Sequence, residues 1–542
     1  MTGNERLRWS GPQAPGFEAA DVYAALARLD QPCFILRGPS GLGPSGLGAA
    51  TGGQVGPYGD HGVVASAAPL PPERLGSAAF QAAHGVRYAY MSGAMANGIA
   101  SEELVIALAR AGFLGSFGAA GLLPERIEKA LDRFAAEIPG LPFAANLIHS
   151  PSEERLERSG VDLFLSRGVR CVEASAFMDL TPNIVRYRLA GLSRGRSGGI
   201  VAGNRVIAKI SRPEVAERFM RPAPEAMVAR LLAAGDITPE QAELARRVPV
   251  ADDITVEADS GGHTDRRPLP ALLPVILRQR DQIAREQGYP VRLRVGAAGG
   301  IGTPDTAAAA FFAGADYVVT GSINQACVEA GTSTAAKALL AQAGIADCDM
   351  APAADMFEMG VELQVLRRGT LFPMRARQLY EVYRQYEGID AIPAEARQRI
   401  EKQLFRRPLE EVWAETVEYF QRRDPGQIAR AADNPKRKMA LIFRWYLGMS
   451  SRWAKIGEAD RVPDYQIWCG PAMGSFNAWV HGTYLAAAEN RYVVDVARHI
   501  IRGAAFQYRV AALRAAGVAL SAACASYQPA PEESPAEEWA LR

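Results

Sequence analysis

The sequence predicts an α/β fold, a closed (β/α)8 barrel with an added C-terminal helical subdomain. The main observation is an alternation. Between about residues 86 and 345, short β-branched runs and helical patterns follow one another eight times. Such alternation requires parallel strands with right-handed crossovers, and eight units in roughly 260 residues is the usual size of a closed barrel. An open doubly wound sheet is the alternative.

The eight units can be placed in order along the chain. The predicted strands are short apolar runs: Arg87–Met91, Phe113–Phe117, Phe143–Ile148, Arg170–Ala174, Arg205–Ile210, Ile254–Glu257, Arg292–Val295 and Tyr317–Thr320. Helical patterns follow them, including Glu102–Arg110, Pro124–Ala136, Ser152–Ser166, Pro213–Arg218 and Thr303–Ala313. The barrel is therefore expected over residues 86–345.

The flanking regions differ from the barrel in composition. Residues 1–85 hold a strand-like Cys33–Leu36 and a Gly/Pro-rich segment in which Pro-Ser-Gly-Leu-Gly occurs twice, at 39–43 and 44–48, which predicts an irregular cap. Residues 346–525 are mostly helical in pattern and carry most of the tryptophans, so a helical subdomain is expected. Residues 526–542 are rich in Pro and Glu and predict a flexible tail.

The glycines at 41–46 match the G-x-G-x-x-G dinucleotide pattern. No strand-to-helix junction surrounds them, and Pro44 removes a backbone N–H that the pattern needs. A Rossmann module is therefore not expected.

Composition limits the classes of function. The chain has 542 residues, and 60 Lys and Arg face 59 Asp and Glu, so no overall charge favours nucleic acid. Its six cysteines show no metal-ligand spacing, and every long apolar stretch is broken by Arg, Glu or Pro. The first residues lack a basic-then-apolar signal pattern. A cytoplasmic protein without a metal site or a membrane span is expected.

Two glycine motifs lie one βα unit apart. Val295–Ile301 and Asp316–Ser322 each join a short apolar run to bare backbone, at Gly299 and Gly300 in one and at Gly321 and Ser322 in the other. Barrels hold cofactor phosphates above their last two strands in this way. The sequence therefore predicts a phosphate-bearing cofactor.

The expected chemical centre is Glu257–Asp265, at the end of the sixth strand. Gly261 and Gly262 allow the backbone to pass close to a flat ligand. His263 then faces the pocket, where an imidazole of ordinary pKa near ~6.5 can donate a proton or polarise a carbonyl. The alternative is a structural histidine bonded to Asp265 or to backbone.

The stretches Tyr90–Ala96, Glu257–Asp265 and Gly296–Ser322 together resemble FMN-dependent barrels of the nitronate monooxygenase-like superfamily. More closely, with Asp464–Gly474, the chain resembles the PfaD-type trans-acting enoyl reductases of polyunsaturated fatty acid and trans-acyltransferase polyketide synthases. The resemblance covers most of residues 30–485.

This resemblance implies roles for particular residues. Gly93, Ala94 and Met95 would pack their backbone against the isoalloxazine ring, and Asn146 would meet the ring edge. Lys209 would place positive charge near flavin N1, unless it only forms a salt bridge with an acid such as Glu173. The resemblance also implies that Gly299, Gly300, Gly321 and Ser322 bind the FMN phosphate, with His263 as the polarising group or acid.

The implied reaction is reduction of an α,β-double bond in an acyl thioester on the phosphopantetheine arm of an acyl carrier protein. NADPH would reduce FMN, which would pass a hydride to the β-carbon. The expected partners are that carrier and a polyketide or fatty acid synthase complex, and a homodimer stays open. Lys436–Lys438 is a candidate carrier-docking site, with a solvated helix face as the alternative.

Two other functions stay open at this point. One is a flavin oxidase or monooxygenase, for example on nitronates, that needs no nicotinamide. The other is a non-catalytic flavin-binding docking subunit of a synthase complex.

Overall fold

The computed structural model describes residues 7–38, 46–149, 154–196, 198–289 and 291–531. The first part of the chain is a five-stranded antiparallel sheet with strand order β3-β2-β5-β1-β4, with one helix, α1, packed on it. Its elements are β1 (Arg8–Ser10), α1 (Ala19–Ala27), β2 (Cys33–Arg37), β3 (Leu47–Thr51), β4 (Gln54–Gly56) and β5 (His61–Ala67).

The prediction of an irregular cap over residues 1–85 is therefore wrong for most of this region. Strand β3 is Leu-Gly-Ala-Ala-Thr, which lacks the β-branched alternation that marks a strand, and it is held by pairing with β2. Of the dinucleotide-like pattern at 41–46, only Gly46 lies within the described residues.

Eight parallel strands close into a barrel, since β16 pairs with β6 through Val318 and Tyr90. The strands of this region, in chain order, are β6 (Tyr90–Ser92), β7 (Leu114–Phe117), β8 (Ala144–Ile148), β9 (Cys171–Ser175), β10 (Leu192–Arg194), β11 (Ile200–Ala202), β12 (Arg205–Ile210), β13 (Asp253–Glu257), β14 (Gly262–His263), β15 (Arg294–Ala298) and β16 (Val318–Thr320). Strands β10 and β11 form a separate hairpin, and β14 lies outside the barrel. All eight predicted strands are confirmed, each end within three residues.

Helices cover the outside of the barrel because their apolar positions recur at helical spacing, as Ile127, Ala130, Leu131 and Phe134 do in α4. They are α2 (Ala78–His84), α3 (Glu102–Arg110), α4 (Pro124–Glu137), α5 (Glu154–Ser166), α6 (Pro182–Ala190), α7 (Pro213–Met220), α8 (Glu225–Ala233), α9 (Pro239–Ala245), α10 (Leu269–Gln287), α11 (Pro304–Phe312), α12 (Ser322–Gln325) and α13 (Thr334–Ala341). Ser101 caps α3 by accepting from the Leu104 N–H at 3.1 Å, one of the local signals that made this helix predictable.

The region after the barrel is mostly helical, as predicted for 346–525, and it also contains two strands that the sequence did not predict. It begins with an antiparallel hairpin, β17 (Cys348–Pro352) and β18 (Glu362–Leu366), whose second strand also pairs with β14. The helices that follow are α14 (Phe372–Gln385), α15 (Ala394–Ile400), α16 (Leu409–Arg423), α17 (Pro425–Ala431), α18 (Pro435–Ile456), α19 (Ala472–Trp479), α20 (Val493–Ala515) and α21 (Ala522–Ala525). Short 3-10 turns lie at Pro72–Arg74, Phe357–Met359, Ile389–Ala391, Ala459–Asp464, Tyr484–Ala486 and Ala488–Asn490, and a π-helical turn at Glu401–Phe405.

Helix α20 joins the two ends of the chain. It packs on α11 of the barrel, and its buried Arg509 donates to the carbonyls of Leu26 and Leu29 beside the N-terminal sheet. The first residues of the predicted flexible tail also pack here, since Tyr527 is buried and its carbonyl accepts from Trp479 Nε1 at 3.1 Å. Residues 532–542 lie outside the described part, and the domain boundaries at 85, 345 and 525 stay predictions.

The basic run Lys436–Lys438 at the start of α18 makes contacts within the protein. Lys436 donates to the carbonyl of Tyr386 at 2.6 Å, and the Lys438 ammonium lies 5.2 Å from the ring centre of Trp413. No helix among the described residues has the length and apolar character needed to cross a membrane.

Candidate active site

A cavity of about 760 Å³ opens at the C-terminal mouth of the barrel, the end at which barrel enzymes carry their sites. Its volume lies within the usual range for small-molecule and cofactor sites. All the residues predicted for the site line it: Gly93, Ala94, Met95, Asn146, Lys209, Gly261, Gly262, His263, Gly299, Gly300, Gly321 and Ser322. The structure thus brings together every predicted position, while their roles stay predictions.

The two glycine turns lie side by side because β15 and β16 pair in parallel. Gly299 and Gly300 adopt φ values of +83° and +71°, a conformation that other residues rarely adopt. A Cβ added at Gly300 or Gly321 would meet no atom within 4 Å, so both face open space. Bare backbone around an open space fits a phosphate, which a larger side chain would displace.

Ser322 follows Gly321 and connects the glycine turns to the region after the barrel. Gly299, Gly300, Gly321 and Ser322 are together called the cradle below. The hydroxyl oxygen of Ser322 accepts from the Gly470 N–H at 3.0 Å, which leaves its own O–H to donate to an anion. Gly470 belongs to the stretch Asp464–Gly474 on which the family resemblance partly depended. That stretch therefore borders the cavity at the barrel mouth.

The loop after β6 presents backbone to the cavity. The Gly93 N–H donates to Thr320 O at 2.9 Å, and the Ala94 N–H donates to the buried carboxylate of Glu173 at 2.7 Å. These bonds hold small residues at the cavity wall, a surface suited to a flat ring. Asn146 donates through Nδ2 to Glu173 O and Ser175 Oγ, both at 3.0 Å, so Oδ1 is the atom left for a ligand.

Lys209 pairs with Glu257, with Nζ 3.2 Å from Oε1, and not with Glu173, the partner considered from sequence. Burial by itself would lower the pKa of Lys209, but the charges of Glu257 and Glu173 outweigh it and raise the pKa. Glu173 acts at longer range, since its carboxylate holds Ala94. Lys209 therefore remains a cation that lines the cavity.

His263 pairs with Asp355, with Nε2 3.2 Å from Oδ1. The predicted alternative partner, Asp265, instead binds Arg212 at 2.9 and 3.0 Å. Burial would lower the pKa of His263, but the hydrogen bond and charge of Asp355, with the charge of Glu257, raise it above 6.5. The imidazole is thus protonated up to higher pH than usual, and 31% of its side chain stays exposed.

Asp355 is the site residue that the sequence did not reveal. It is a single acid in an Ala-rich stretch, 92 residues after His263, with no motif around it. Asp355 lies between strands β17 and β18. It reaches His263 because β18 pairs with β14, which places Leu363 opposite His263. The only sequence signal was β18 itself, where Leu363, Val365 and Leu366 are apolar, within a region predicted to be mostly helical.

The same hairpin fixes the loop that carries His263. Gln364 donates through Nε2 to Asp259 Oδ1 and to Ser260 O, both at 2.8 Å. A Cβ at Gly261 would lie 2.9 Å from the backbone nitrogen of Cys469, so only glycine fits under this segment. The sequence predicted that Gly261 lies beside a flat ligand. The structure adds a packing role for Gly261 that the sequence did not indicate.

Two protein families match parts of the chain. The fatty acid synthase subunit PfaD N-terminal domain matches residues 9–69, and the inserted helical domain of [acyl-carrier-protein] S-malonyltransferase matches residues 386–465. The second match covers a segment that is hereafter called the helical insert.

Similar proteins include a polyunsaturated fatty acid synthase subunit of Thraustochytrium sp., which is 49% identical over 93% of this chain and 34% of its own length. The polyketide biosynthesis protein PksE of Bacillus subtilis is 46% identical over 80% of this chain and 56% of its own length. The chain thus spans between a third and three fifths of these two relatives. The enoyl reductase domain of MlnA, from the macrolactin biosynthesis cluster of Bacillus amyloliquefaciens, is 39% identical with a TM-score of 0.78, over 82% of this chain and all of that domain.

Proposed function

The chain belongs to the family of PfaD-type enoyl reductases, and we propose that it reduces the α,β-double bond of an enoyl thioester carried by an acyl carrier protein, with FMN as cofactor and NADPH as reductant. An enoyl reductase is an oxidoreductase, and the match to the enoyl reductase domain of MlnA supports that class for this chain. Its relatives are proteins of polyunsaturated fatty acid and polyketide synthase systems, which supports a place in such a complex.

The observation that carries the proposal is that a bare-backbone cradle, Lys209 and His263 all line one cavity. Gly299, Gly300, Gly321 and Ser322 would hold the phosphate, and the backbone of Gly93 and Ala94 would lie along the ring. When bound, the flavin supplies hydride transfer. The chain supplies orientation, charge and a proton.

His263 is the proposed acid. Its Nε2 is engaged by Asp355, so Nδ1 is the nitrogen left to hydrogen-bond the thioester carbonyl or to protonate the α-carbon. Asp355 fixes the ring and stabilises its charged form, as an acid does for a histidine in other enzymes. Lys209 holds positive charge at the same cavity, where negative charge develops during reduction.

An anaerobic titration tests this proposal. The purified protein should be yellow, lose its flavin absorbance on addition of NADPH, and regain it when an enoyl-carrier thioester is added. A protein that NADPH does not bleach, but that consumes oxygen with a nitronate, would be the flavin oxidase instead. Bound flavin that responds to neither substrate would identify a docking subunit.

The His263→Ala variant separates these outcomes further. It should still bind flavin and be bleached by NADPH, because the cradle and ring contacts are untouched, while recolouring by the enoyl thioester becomes slow. An unchanged rate of recolouring would remove His263 from the mechanism.

A further inference from the structure

A second cavity, also about 760 Å³, adjoins the first one. Leu156, Asp355, Arg423 and Arg444 line both, so the two spaces share a wall at the partner of His263. The second cavity lies between helix α5 of the barrel and the helical insert. The proposed chemistry does not use it.

Arginine dominates this second cavity. Five guanidinium groups line it, against three carboxylates: Arg155, Arg423, Arg430, Arg437 and Arg444 face Asp355, Glu358 and Asp424. The net charge of the wall is therefore positive, although the whole chain is almost neutral. A local excess of this kind attracts anions.

Several of these guanidinium groups have donors to spare, since each carries five N–H groups. Arg155 is exposed and makes no ion pair or hydrogen bond with the described residues. Arg430 reaches Asp424 only at 3.7 Å, and Arg444 reaches Glu358 at 3.4 Å. The Nε of Arg437 is buried and has no partner in the part of the chain that is described.

From this arrangement we infer that the arginine cavity binds the phosphate group of a ligand whose reactive end lies in the catalytic cavity. Guanidinium groups match phosphate oxygens in pairs, and convergent arginines from two elements favour an anion over a solvated face. The inference rests on the proposed function for the identity of the ligand. Two ligands of that reaction carry a suitable phosphate: the phosphopantetheine arm and NADPH.

The position of the cavity explains why such a site is useful. An extended ligand that is anchored by its phosphate at the helical insert has its other end directed past Asp355 toward His263. Binding energy from the remote phosphate would then align the reacting carbon. The helical insert would thus serve the reaction, beyond packing against the barrel.

The test uses ligands that differ only in phosphate. Binding of 4′-phosphopantetheine and of pantetheine to the flavin-loaded protein is measured by calorimetry, followed by KM values for the corresponding enoyl thioesters and for NADPH. The variants are Arg155→Gln, Arg430→Gln and the double substitution. Arg422→Gln is the matched control, because Arg422 is the neighbour of Arg423, is 79% exposed and lines neither cavity.

If the arm phosphate binds here, each substitution should weaken 4′-phosphopantetheine about tenfold and leave pantetheine unchanged. If the site takes the nucleotide, the KM for NADPH should rise instead, with both thioesters unaffected. Arg422→Gln should change neither. High salt should weaken the phosphate preference, since screening reduces the attraction.

The inference is overturned if the double variant changes neither the phosphate preference nor the KM for NADPH. Failure of the proposed function looks different. In that case the wild-type protein reduces no enoyl thioester. If it still binds 4′-phosphopantetheine more tightly than pantetheine, and the double variant loses that preference, the phosphate site is retained and only the reductase function is rejected.

Discussion

The two ends of the barrel both bury charged side chains, and they differ in how those charges are satisfied. At the N-terminal end of the barrel strands, called the lower end below, Asp253 is fully buried. It accepts hydrogen bonds from Arg294 at 2.6 and 2.8 Å and from His84 at 2.9 Å. Burial would raise the pKa of Asp253, but His84 and Arg294 lower it to about 2. Both carboxylate oxygens of Asp253 are thus occupied by side chains of this cluster.

At the mouth, His263 and Lys209 are each paired with one acid and also line the cavity. Asp355 holds one nitrogen of His263, and Glu257 holds Lys209, while the cations themselves line the cavity. The difference indicates that a fully enclosed cluster contributes stability, whereas a cluster that is open on one side can act on a ligand. Substitutions at both ends of the barrel test this contrast.

The largest effect is expected at the lower end. Asp253→Ala would leave Arg294 buried without its counter-charge and His84 without its hydrogen-bond partner, and the unpaired buried charge typically costs about 3–5 kcal/mol of unfolding free energy. Denaturant unfolding measures it. Asp265→Asn is the control, since it breaks a partly exposed pair with Arg212 that is worth about 1 kcal/mol or less. Equal losses for the two variants would contradict the comparison.

At the mouth, His263→Ala should lower the rate of enoyl reduction about a hundredfold or more, the usual contribution of an acid catalyst. The unfolding free energy should change by less than about 1 kcal/mol, because the side chain is partly exposed. Single-turnover kinetics and denaturation on the same sample give both numbers. A large loss of stability with little loss of rate would place His263 with the structural cluster.

The glycine cradle allows a sharper test of the cofactor site. Gly321→Ala puts a methyl group into open space at a negative φ of −136°, so we expect flavin affinity to fall about tenfold, with no steric contact to reduce stability. Gly299→Ala is the contrast, because its Cβ would lie 2.6 Å from the carbonyl carbon of Ala258 at φ +83°. That variant should also lose stability, by about 1–3 kcal/mol. Fluorescence of released flavin measures affinity, and unchanged binding in Gly321→Ala would argue against a phosphate at this position.

The smallest effect is expected for Asp355→Asn, and it appears in the pH profile. Asp355 raises the pKa of His263, so activity that needs the protonated imidazole falls as pH rises through that pKa, and in the variant it should fall at lower pH. Because the pKa of His263 is higher in the folded than in the unfolded protein, the pair also adds to the free energy of unfolding. This contribution is fully present below about pH 6.5 and is lost as pH rises through the folded-state pKa of His263. We expect the variant to lose this stability below neutral pH and to match the wild type in alkaline solution. Rate profiles and denaturation at several pH values check both statements.

Much of the fold could be predicted because its signals are local. Each barrel strand is a short apolar run, and helix α3 has its cap at Ser101 within the same turn. Of the N-terminal sheet, only the strand-like Cys33–Leu36 was predicted, and it is confirmed as β2. Strand β3 was missed because it is made largely of Gly and Ala, and β17 and β18 were missed because they stand among helical patterns. Those strands depend on partners distant in sequence, which local composition does not indicate.

The sequence by itself determined the eight strand–helix units and the glycines of the cradle, because both are patterns of neighbouring residues, and it favoured a closed barrel over an open sheet. Only the tertiary structure decided which acid meets His263, that Lys209 pairs with Glu257, and that arginines of α5 and the helical insert line one cavity. The reason is physical: charge pairing depends on distances of a few ångströms between side chains, and those distances are set by strand addition and helix packing across hundreds of residues.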